Sequence, residues 1–369
     1  MKVRCLDTTD KEGKIRGNIF MDDNEFSFGE VLYKNGIITD VIKVSETDLD
    51  EAERSSLIVP GFVDIHMHGC NGYDACSASR EELLKMVSFE RQNGITSFCP
   101  ATMTLKSEEL LDICTRISEA MDESRDIKGI YLEGPFISKE KCGAQNPQNV
   151  IPPNDKIFER LFEASKGRIK VVTIAPETKG AIEFIRNNKD RVVCSVGHTV
   201  SDYDTAVKAF NAGACQVTHL YNAMTKYDHR NPGVVGAAFD SDVYLELICD
   251  GEHVHPSVIR NTFRTAGEHV IMISDSMQAT GMKDGVYRLG DQTVYKNKKR
   301  ATLSDGTLAG SVSSLFDCFK YVISQGIPIN QALMACTCNP ARAIGIIDET
   351  GSITPGKKAD LNVLYDEGI

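Results

Sequence analysis

Residues 60–69 read Pro-Gly-Phe-Val-Asp-Ile-His-Met-His-Gly, a short apolar stretch that ends in two histidines one residue apart. Side chains alternate between the two faces of a β-strand, so His66 and His68 share one face of the strand that this stretch predicts. Such a pair is more often incidental than metal-binding when it stands alone, because a metal site needs further ligands. The rest of the chain supplies candidate ligands.

Apolar, β-branched stretches like this one alternate with segments of helical periodicity along most of the chain. Eight strands are predicted, at 57–65, 95–99, 127–132, 169–174, 192–196, 216–220, 244–249 and 270–274. Amphipathic segments predict helices between them, for example at 79–92, 107–121, 201–211 and 256–266. Buried strands separated by helices are typical of a parallel sheet covered on both faces. Eight such units favour an α/β fold with a closed (β/α)8 TIM barrel, and an open doubly wound sheet stays an alternative.

The two ends of the chain depart from this rhythm. Residues 1–57 contain short apolar stretches broken by Gly and Asn turns, which predicts a small β unit. Residues 351–364 again favour strands, after a Pro-Gly turn. Within the barrel region, residues 222–240 predict an irregular functional loop, and residues 282–306 predict a β-hairpin excursion.

Polar side chains concentrate where the predicted barrel strands end. These strand-end residues are His66, His68, Glu133, His198, His219, Asp250, His253 and Asp275, and they include five of the chain's eight histidines. Barrel enzymes build their sites at this end of the strands, so these side chains are expected to converge.

Taken singly, each strand-end residue also has a structural interpretation, such as a helix cap for Asp275 or a satisfied buried histidine for His198. Jointly, imidazole and carboxylate ligands suit Zn²⁺ or Fe²⁺ with one position open for water. A bound metal can lower the pKa of water from 15.7 to about 7, and a nearby carboxylate can then carry the proton. The pattern predicts a metal-dependent hydrolytic site.

Composition narrows the candidate functions further. The chain has 52 acidic and 41 basic residues, a net charge of −11, which argues against a nucleic-acid surface. No apolar run reaches the roughly 18 residues that a membrane-spanning helix needs. The first residues lack the apolar region of a secretory signal peptide. The 12 cysteines show no CxxC motif, which favours reduced thiols over a disulfide framework. We expect a cytoplasmic protein with a small-molecule substrate, and neither a nucleic-acid nor a membrane partner.

Residues 60–69 resemble the first-strand signature of the amidohydrolase superfamily, and residues 351–361 resemble its closing segment. Motifs at 131–136, 195–199, 218–224, 250–253 and 274–275 are similar to those of the amino-sugar-phosphate deacetylases within it, in the same order. The resemblance implies a metallohydrolase barrel over residues 58–346. It also implies a small β-sandwich domain from residues 1–57, completed by 347–369. The implied activity is hydrolytic removal of acetate from N-acetyl-D-glucosamine 6-phosphate.

The resemblance also implies roles for individual residues. Glu133, His198 and His219 match the principal metal ligands, His66 and His68 match the pair that holds a second metal in some members, and Asp275 matches the general acid/base. The cofactor is then one or two divalent ions per subunit, zinc or iron. The implied substrate-binding residues are Ala144, Gln145, Asn222, Ala223, Arg230, Asp250, Gly251, His253, Leu308, Ala309 and Gly310.

Members of the family are homodimers in which the equivalent of Arg230 reaches a phosphate in the neighbouring site. The planar guanidinium suits this task, because it meets phosphate oxygens in a bidentate manner. Gln145 is a departure, since some relatives carry histidine there. Gln can donate a hydrogen bond but cannot be a cation, so an electrophilic role at this position is weaker or moved.

Three alternatives stay open. The first is a deacetylase of an epimeric amino-sugar phosphate, and the second is another metal-dependent amidohydrolase. The cyclic-amide and nucleobase members typically carry a carboxylated lysine or another strand-one spacing, whereas strand three here ends in Glu133. The third is a non-catalytic scaffold, which the retained ligands and Asp275 disfavour.

Overall fold

The first strands of the chain and the last described strand form one sheet. The computed structural model describes residues 1–365. The sheet has the order β1-β19-β5-β2-β3-β4, built from β1 (Lys2–Cys5), β2 (Glu12–Phe20), β3 (Phe26–Lys34), β4 (Ile37–Lys43), β5 (Leu57–Pro60) and β19 (Leu361–Tyr365). Only β2 and β5 pair in parallel. Ile19, Val31, Ile58 and Leu361 pack in its core, and helix α1 (Glu51–Ser55) precedes β5.

Gly61 marks the passage from this small domain to the barrel. The sequence predicts one strand over 57–65, but the structure divides it into β5 and β6 (Phe62–Met67). A Cβ atom at Gly61 would lie 2.1 Å from Thr96 Oγ1, so a side chain has no room where the chain changes sheets. The domain boundary expected between residues 57 and 58 therefore falls inside β5.

Eight parallel strands form the barrel, as the alternation of strands and helices predicts. They are β6, β9 (Ile95–Pro100), β10 (Ile130–Leu132), β11 (Ile169–Ile174), β12 (Val193–Val196), β13 (Gln216–Val217), β14 (Tyr244–Ile248) and β15 (Val270–Ile273). Strands β10 to β15 form one parallel sheet. Strand β9 pairs with β6, and single bridges at Ile127 and Tyr131 connect the β9 segment to the chain at and just before β10. The ring closes where Asp275 N donates to His66 O at 3.0 Å and His68 N to Ser276 O at 2.7 Å.

Helices follow the barrel strands and cover the outside of the ring. They are α2 (Arg80–Gln92), α3 (Ser107–Glu123), α4 (Asp155–Ala164), α5 (Ala181–Asn188), α6 (Tyr203–Ala212), α7 (Gly233–Phe239), α8 (Pro256–Ala266), α9 (Leu315–Ser324), α10 (Ile329–Cys336) and α11 (Cys338–Ala343). Helix α2 begins with a capping box between Ser79 and Glu82. Inside the ring, Val63, Ile65, Tyr131 and Ile271 fill the lumen.

Three shorter segments differ in detail from the sequence predictions. The predicted loop 222–240 contains α7, because its apolar run Gly233–Phe239 is buried against the barrel. The predicted hairpin 282–306 has three strands, β16 (Gly285–Leu289), β17 (Gln292–Asn297) and β18 (Arg300–Thr302), and a shorter hairpin joins β7 (Gly69–Cys70) to β8 (Tyr73–Asp74). Residues 351–360 are turns rather than strands, and of the predicted completing segment, residues 366–369 lie outside the described part of the chain. Within residues 1–365, no helix combines the length and the apolar character that crossing a membrane requires.

A buried carboxyl group lies behind the first barrel strand. Glu90 of α2 is 2% exposed and lies close to Cys70 and Asp64. Burial, together with the charge of Asp64, raises the pKa of Glu90 from 4.5 to about 8. Near neutral pH the folded protein therefore holds a proton on Glu90 that the unfolded chain has released.

We expect Glu90→Gln to make the protein less sensitive to rising pH. As pH increases from 4.5 to about 8, the unfolded carboxyl group ionises while the folded one does not, so this group lowers the free energy of unfolding of the wild type. The neutral amide removes that dependence. Urea unfolding at several pH values measures it, with the exposed Glu163→Gln as control. Parallel pH curves for wild type and Glu90→Gln would contradict the prediction.

Candidate metal centre and active site

The strand-end residues meet at the carboxyl end of the barrel. His66 lies within β6 and His68 just after it, while Glu133 follows β10 directly. His198, His219 and Asp275 each lie two residues beyond the ends of their strands β12, β13 and β15. Parallel strands in one ring bring their carboxyl ends to one rim, which is why residues far apart in sequence become neighbours.

The backbone at three of these positions is left-handed. The φ angles are +46° at His198, +30° at His219 and +46° at Asp275. A non-glycine residue in this region costs about 1–3 kcal/mol, and such strain concentrates at functional sites. Backbone hydrogen bonds hold the turns, including Ser138 N to His198 O and Ser311 N to Asp275 O.

Glu133, His198 and His219 form the first candidate ligand group. Oε1 of Glu133 lies 2.9 Å from His219 Nε2 and 3.1 Å from His198 Nε2, and the two Nε2 atoms are 3.1 Å apart. All three residues are buried. Three ligand atoms from three strands thus converge on one point.

His66, His68 and Asp275 form the second candidate ligand group beside the first. Oδ1 of Asp275 lies 3.2 Å from His68 Nε2 and 3.8 Å from His66 Nε2. Glu133 lies between the groups, since its Oε2 is 3.2 Å from His68 Nε2 and its Oε1 is 3.5 Å from His66 Nε2. One carboxylate therefore contacts all four imidazoles.

These residues fit a divalent cation. Ligand atoms on a tetrahedral ion with bonds of 2.0–2.1 Å lie about 3.3 Å apart, close to the separations found here. The Nε2 atom of His66 is buried and has no hydrogen-bond partner among residues 1–365. Two of the four histidines are held at the opposite ring nitrogen, with His66 Nδ1 3.0 Å from Glu246 Oε2 and His198 Nδ1 2.8 Å from Lys141 O. Outer contacts of this kind orient metal-ligating histidines. In the described chain, the buried Nδ1 atoms of His68 and His219 have no hydrogen-bond partner.

The imidazoles also keep the two carboxylates ionised. Burial by itself raises the pKa of Glu133, but His66, His198, His219 and His68 lower it more, so the net pKa lies well below the usual range. Burial likewise opposes ionisation of Asp275, and His68 and His66 outweigh it, so its pKa is also lowered. Both groups are therefore available as anions, one to bind a cation and the other to accept a proton.

A cavity of about 220 Å³ opens above the two ligand groups. Predicted site residues that line it are His68, Glu133, Ala144, Gln145, His198, His219, Asn222, Ala223, His253, Asp275, Leu308 and Gly310. No lysine or arginine is among its lining residues in the described part of the chain.

The other predicted site residues lie outside the lining. His66 is buried behind the cavity, and Ala309 is buried between two lining residues. Asp250 accepts a hydrogen bond from His253 Nδ1 at 2.7 Å, and Gly251 packs on Tyr321. Arg230 is exposed and does not line the cavity of its own chain.

Several contributors were not anticipated from the sequence. Met103, Gly143, Ile248, Leu289 and Thr307 also line the cavity. Nothing in the local pattern of Leu289 and Thr307 signals this, because the excursion β16–β18 and the turn after it reach the rim only through tertiary packing. The buried Glu246 did carry a signal, since it is the one charged residue inside the apolar strand β14.

Gln145 occupies a defined position in the site. Its Oε1 accepts a hydrogen bond from Thr104 N at 2.6 Å, and its Nε2 donates to Glu133 Oε2 at 2.5 Å. The side chain is 4% exposed. The amide is thus a neutral donor to Glu133 at the wall of the cavity.

A closed (β/α)8 barrel with this imidazole–carboxylate cluster at the carboxyl ends of its strands defines a class, the metal-dependent hydrolases. The amidohydrolase family model matches residues 57–367. The chain belongs to the amidohydrolase family.

The similar proteins are deacetylases of amino-sugar phosphates. N-acetylglucosamine-6-phosphate deacetylase of Bacillus subtilis (strain 168) is 38% identical over 86% of this chain and 83% of that protein. N-acetylgalactosamine-6-phosphate deacetylase of Escherichia coli O157:H7 is 32% identical over 95% of this chain and 92% of that protein. The solved structure of a Mycobacterium smegmatis N-acetyl-D-glucosamine-6-phosphate deacetylase mutant in complex with N-acetyl-D-glucosamine-6-phosphate has a TM-score of 0.90 and 32% identity, covering 96% of this chain and 95% of that one.

Removing one ligand of the first group is expected to release bound metal. His198→Ala deletes an Nε2 donor 3.1 Å from both Glu133 and His219, and leaves their charge and lone pairs unmatched. Metal content of the purified variant, measured by mass spectrometry after dialysis, should fall well below that of the wild type. The more exposed His269→Ala should retain wild-type content. Full metal occupancy in His198→Ala would exclude this histidine as a ligand.

Proposed function

We propose that this protein hydrolyses the acetamide of N-acetyl-D-glucosamine 6-phosphate and releases acetate and D-glucosamine 6-phosphate, a step of amino-sugar catabolism. The proposal rests above all on one observation: Asp275 belongs to one of two adjacent ligand groups and lines the same cavity as members of both. The names of the similar enzymes supply the substrate class.

Asp275 is the general base and then the general acid. Its Oδ1 accepts a proton from the water that attacks the acetamide carbonyl carbon. When the C–N bond breaks, Asp275 returns that proton to the departing amine. Its lowered pKa supports the first step, since the group starts as a carboxylate.

Glu133, His198 and His219 would hold a divalent ion, zinc or iron, and His66 and His68 a second. When bound, the ion supplies a Lewis acid and lowers the pKa of water from 15.7 to about 7. Glu133, His198 and His219 are buried at the floor of the cavity, where low polarity strengthens each electrostatic contact. His66, His68 and Asp275 keep their positions through the closure of β15 on β6.

Among the described residues that line the chain's own cavity, no lysine or arginine is available to the phosphate. Among the described lining residues, His253 and Asn222 are the side-chain candidates for contact with the sugar phosphate. Arg230 lies in a run of exposed residues, 226–231. We therefore infer a homodimer in which Arg230 enters the neighbouring site, where its guanidinium meets phosphate oxygens in a bidentate manner.

The same proposal assigns the protein to the cytoplasm. All twelve cysteines have free thiols, and burial raises the pKa of most of them, for example Cys99 to about 12. Thiols kept protonated and reduced suit a reducing compartment.

Acetate release is expected only from the phosphorylated sugar and only without chelator.

In the same assay of acetate release, Asp275→Asn should lower kcat roughly a hundredfold to ten-thousandfold, because it removes the proton carrier. Asp242→Asn, at an exposed site, serves as control. Metal content is measured on the same samples, since Asp275 also belongs to the second ligand group.

Each contrary result would reject a different part of the proposed function. Wild-type turnover in Asp275→Asn with metal bound would exclude Asp275 as the acid/base. No release from a metal-loaded protein would exclude the substrate and leave the metal centre standing. Faster release from N-acetylgalactosamine 6-phosphate would favour the epimeric activity of the Escherichia coli relative.

Arg230→Ala is expected to raise KM for the sugar phosphate by about 10–100-fold, because a hydrogen bond to a charged group contributes about 1.5–3 kcal/mol. Lys226→Ala, on the same exposed segment, is the matched control. Co-expression of Arg230→Ala with Asp275→Asn subunits should restore activity, since each mixed dimer has one site with an intact Asp275 and the partner's intact arginine. Failure to restore activity, with mixed dimers present, would contradict a contribution in trans.

A further inference from the structure

Glu246 is a buried carboxylate behind the metal centre. It lies in the middle of β14 and is 0% exposed. Tyr244 and Ile248, two residues to either side, belong to the cluster that fills the barrel lumen, so Glu246 points into the lumen as well. A charged side chain at such a position is costly unless each of its oxygens has partners.

Both oxygens of Glu246 are occupied. Oε1 accepts a hydrogen bond from Gln216 Nε2 at 2.6 Å. Oε2 lies 3.0 Å from His66 Nδ1 and accepts a second hydrogen bond from His219 N at 3.2 Å. One carboxylate therefore contacts a member of each ligand group, on β6 and after β13.

The contact determines which nitrogen of His66 carries the proton. A carboxylate only accepts hydrogen bonds, so the proton of a neutral His66 is on Nδ1. The lone pair is then on Nε2, the buried atom without a hydrogen-bond partner that faces Asp275 and Glu133. The ring plane is held as well, because His66 stacks on Tyr131 with centroids 4.0 Å apart.

Glu246 itself is not placed to bind the same ion. Its Oε2 contacts Nδ1, on the other side of the imidazole from Nε2. It acts through His66, and through the backbone N–H that holds the left-handed turn at His219.

We propose that Glu246 is the positioning residue of the metal centre: it fixes the tautomer and orientation of His66 and ties that histidine to the backbone of His219. This inference deepens the proposed function, because it concerns the same centre. The inference does not depend on the identity of the substrate, because it concerns the affinity of the centre for metal.

Glu246→Gln tests the proposal with little change of shape. The amide oxygen can keep the contacts to His66 and His219. Gln216 can then turn its own amide, because its Oε1 has no partner in the described part of the chain and can accept from the new Nε2. The variant thus loses the charge and keeps the network. Glu246→Leu removes the acceptor altogether.

Metal affinity is the first readout, measured on metal-free protein by competition with a chromophoric chelator for Zn²⁺. Loss of an outer partner typically lowers metal affinity roughly 10–100-fold, so we expect such a loss in Glu246→Leu, whereas Glu246→Gln, which keeps the acceptor, should stay close to wild type. Glu90→Gln, which replaces a buried carboxyl group that contacts neither ligand group, should keep wild-type affinity. Circular dichroism checks that each variant is folded.

A second readout distinguishes positioning from a general structural role. In a His66→Ala background, Glu246→Leu should cause a much smaller further loss of affinity, because the imidazole through which Glu246 chiefly acts is gone. An equal loss in both backgrounds would overturn the proposal, as would wild-type affinity for every bound ion in Glu246→Leu, or a loss in Glu246→Gln as large as that in Glu246→Leu. A variant with weakened metal binding in a protein that releases no acetate would uphold this inference and reject the substrate.

Discussion

The carboxylate of Glu133 holds the functional end of this barrel together. It is 2% exposed and contacts imidazoles from three places in the ring, His66 and His68 at β6, His198 after β12 and His219 after β13. A buried charge costs several kcal/mol unless partners compensate it. Those partners meet only when β6 closes on β15 and the parallel strands end at one rim. Fold closure and assembly of the site are therefore the same event.

The rim carries strain that the barrel supports. His198, His219 and Asp275 have positive φ just beyond the ends of their strands. Extended backbone would continue the strand there, whereas the left-handed turn lets the ligand face its neighbours across the ring. The cost is offset by the hydrogen bonds of the turns and by the packed strands below. The geometry of the site therefore depends on the rigidity of the barrel strand that precedes each turn.

Much of this arrangement can be read from local patterns. The alternation of strands and helices predicts the barrel, and helix α8 begins and ends where the periodicity places it, at residues 256 and 266. The residues of both ligand groups follow from one rule, that polar side chains at the ends of apolar strands meet at one rim. Local patterns do not reveal the break at Gly61, because it arises from Thr96 on the next barrel strand. They also do not reveal Leu289 and Thr307 at the cavity, or the contact of Gln145 with Glu133, since these join segments far apart in the chain.

The sequence by itself determined the kind of fold, the ligand chemistry and the family resemblance, because strand periodicity and residue type are local properties. Tertiary structure alone decided how the ligands divide into two groups around Glu133, which nitrogen of His66 is held by Glu246, and that no lysine or arginine of the described chain lines the cavity. The physical reason is distance. Hydrogen bonds and charges act over a few ångströms, and only ring closure brings these residues from six separate strands within that range.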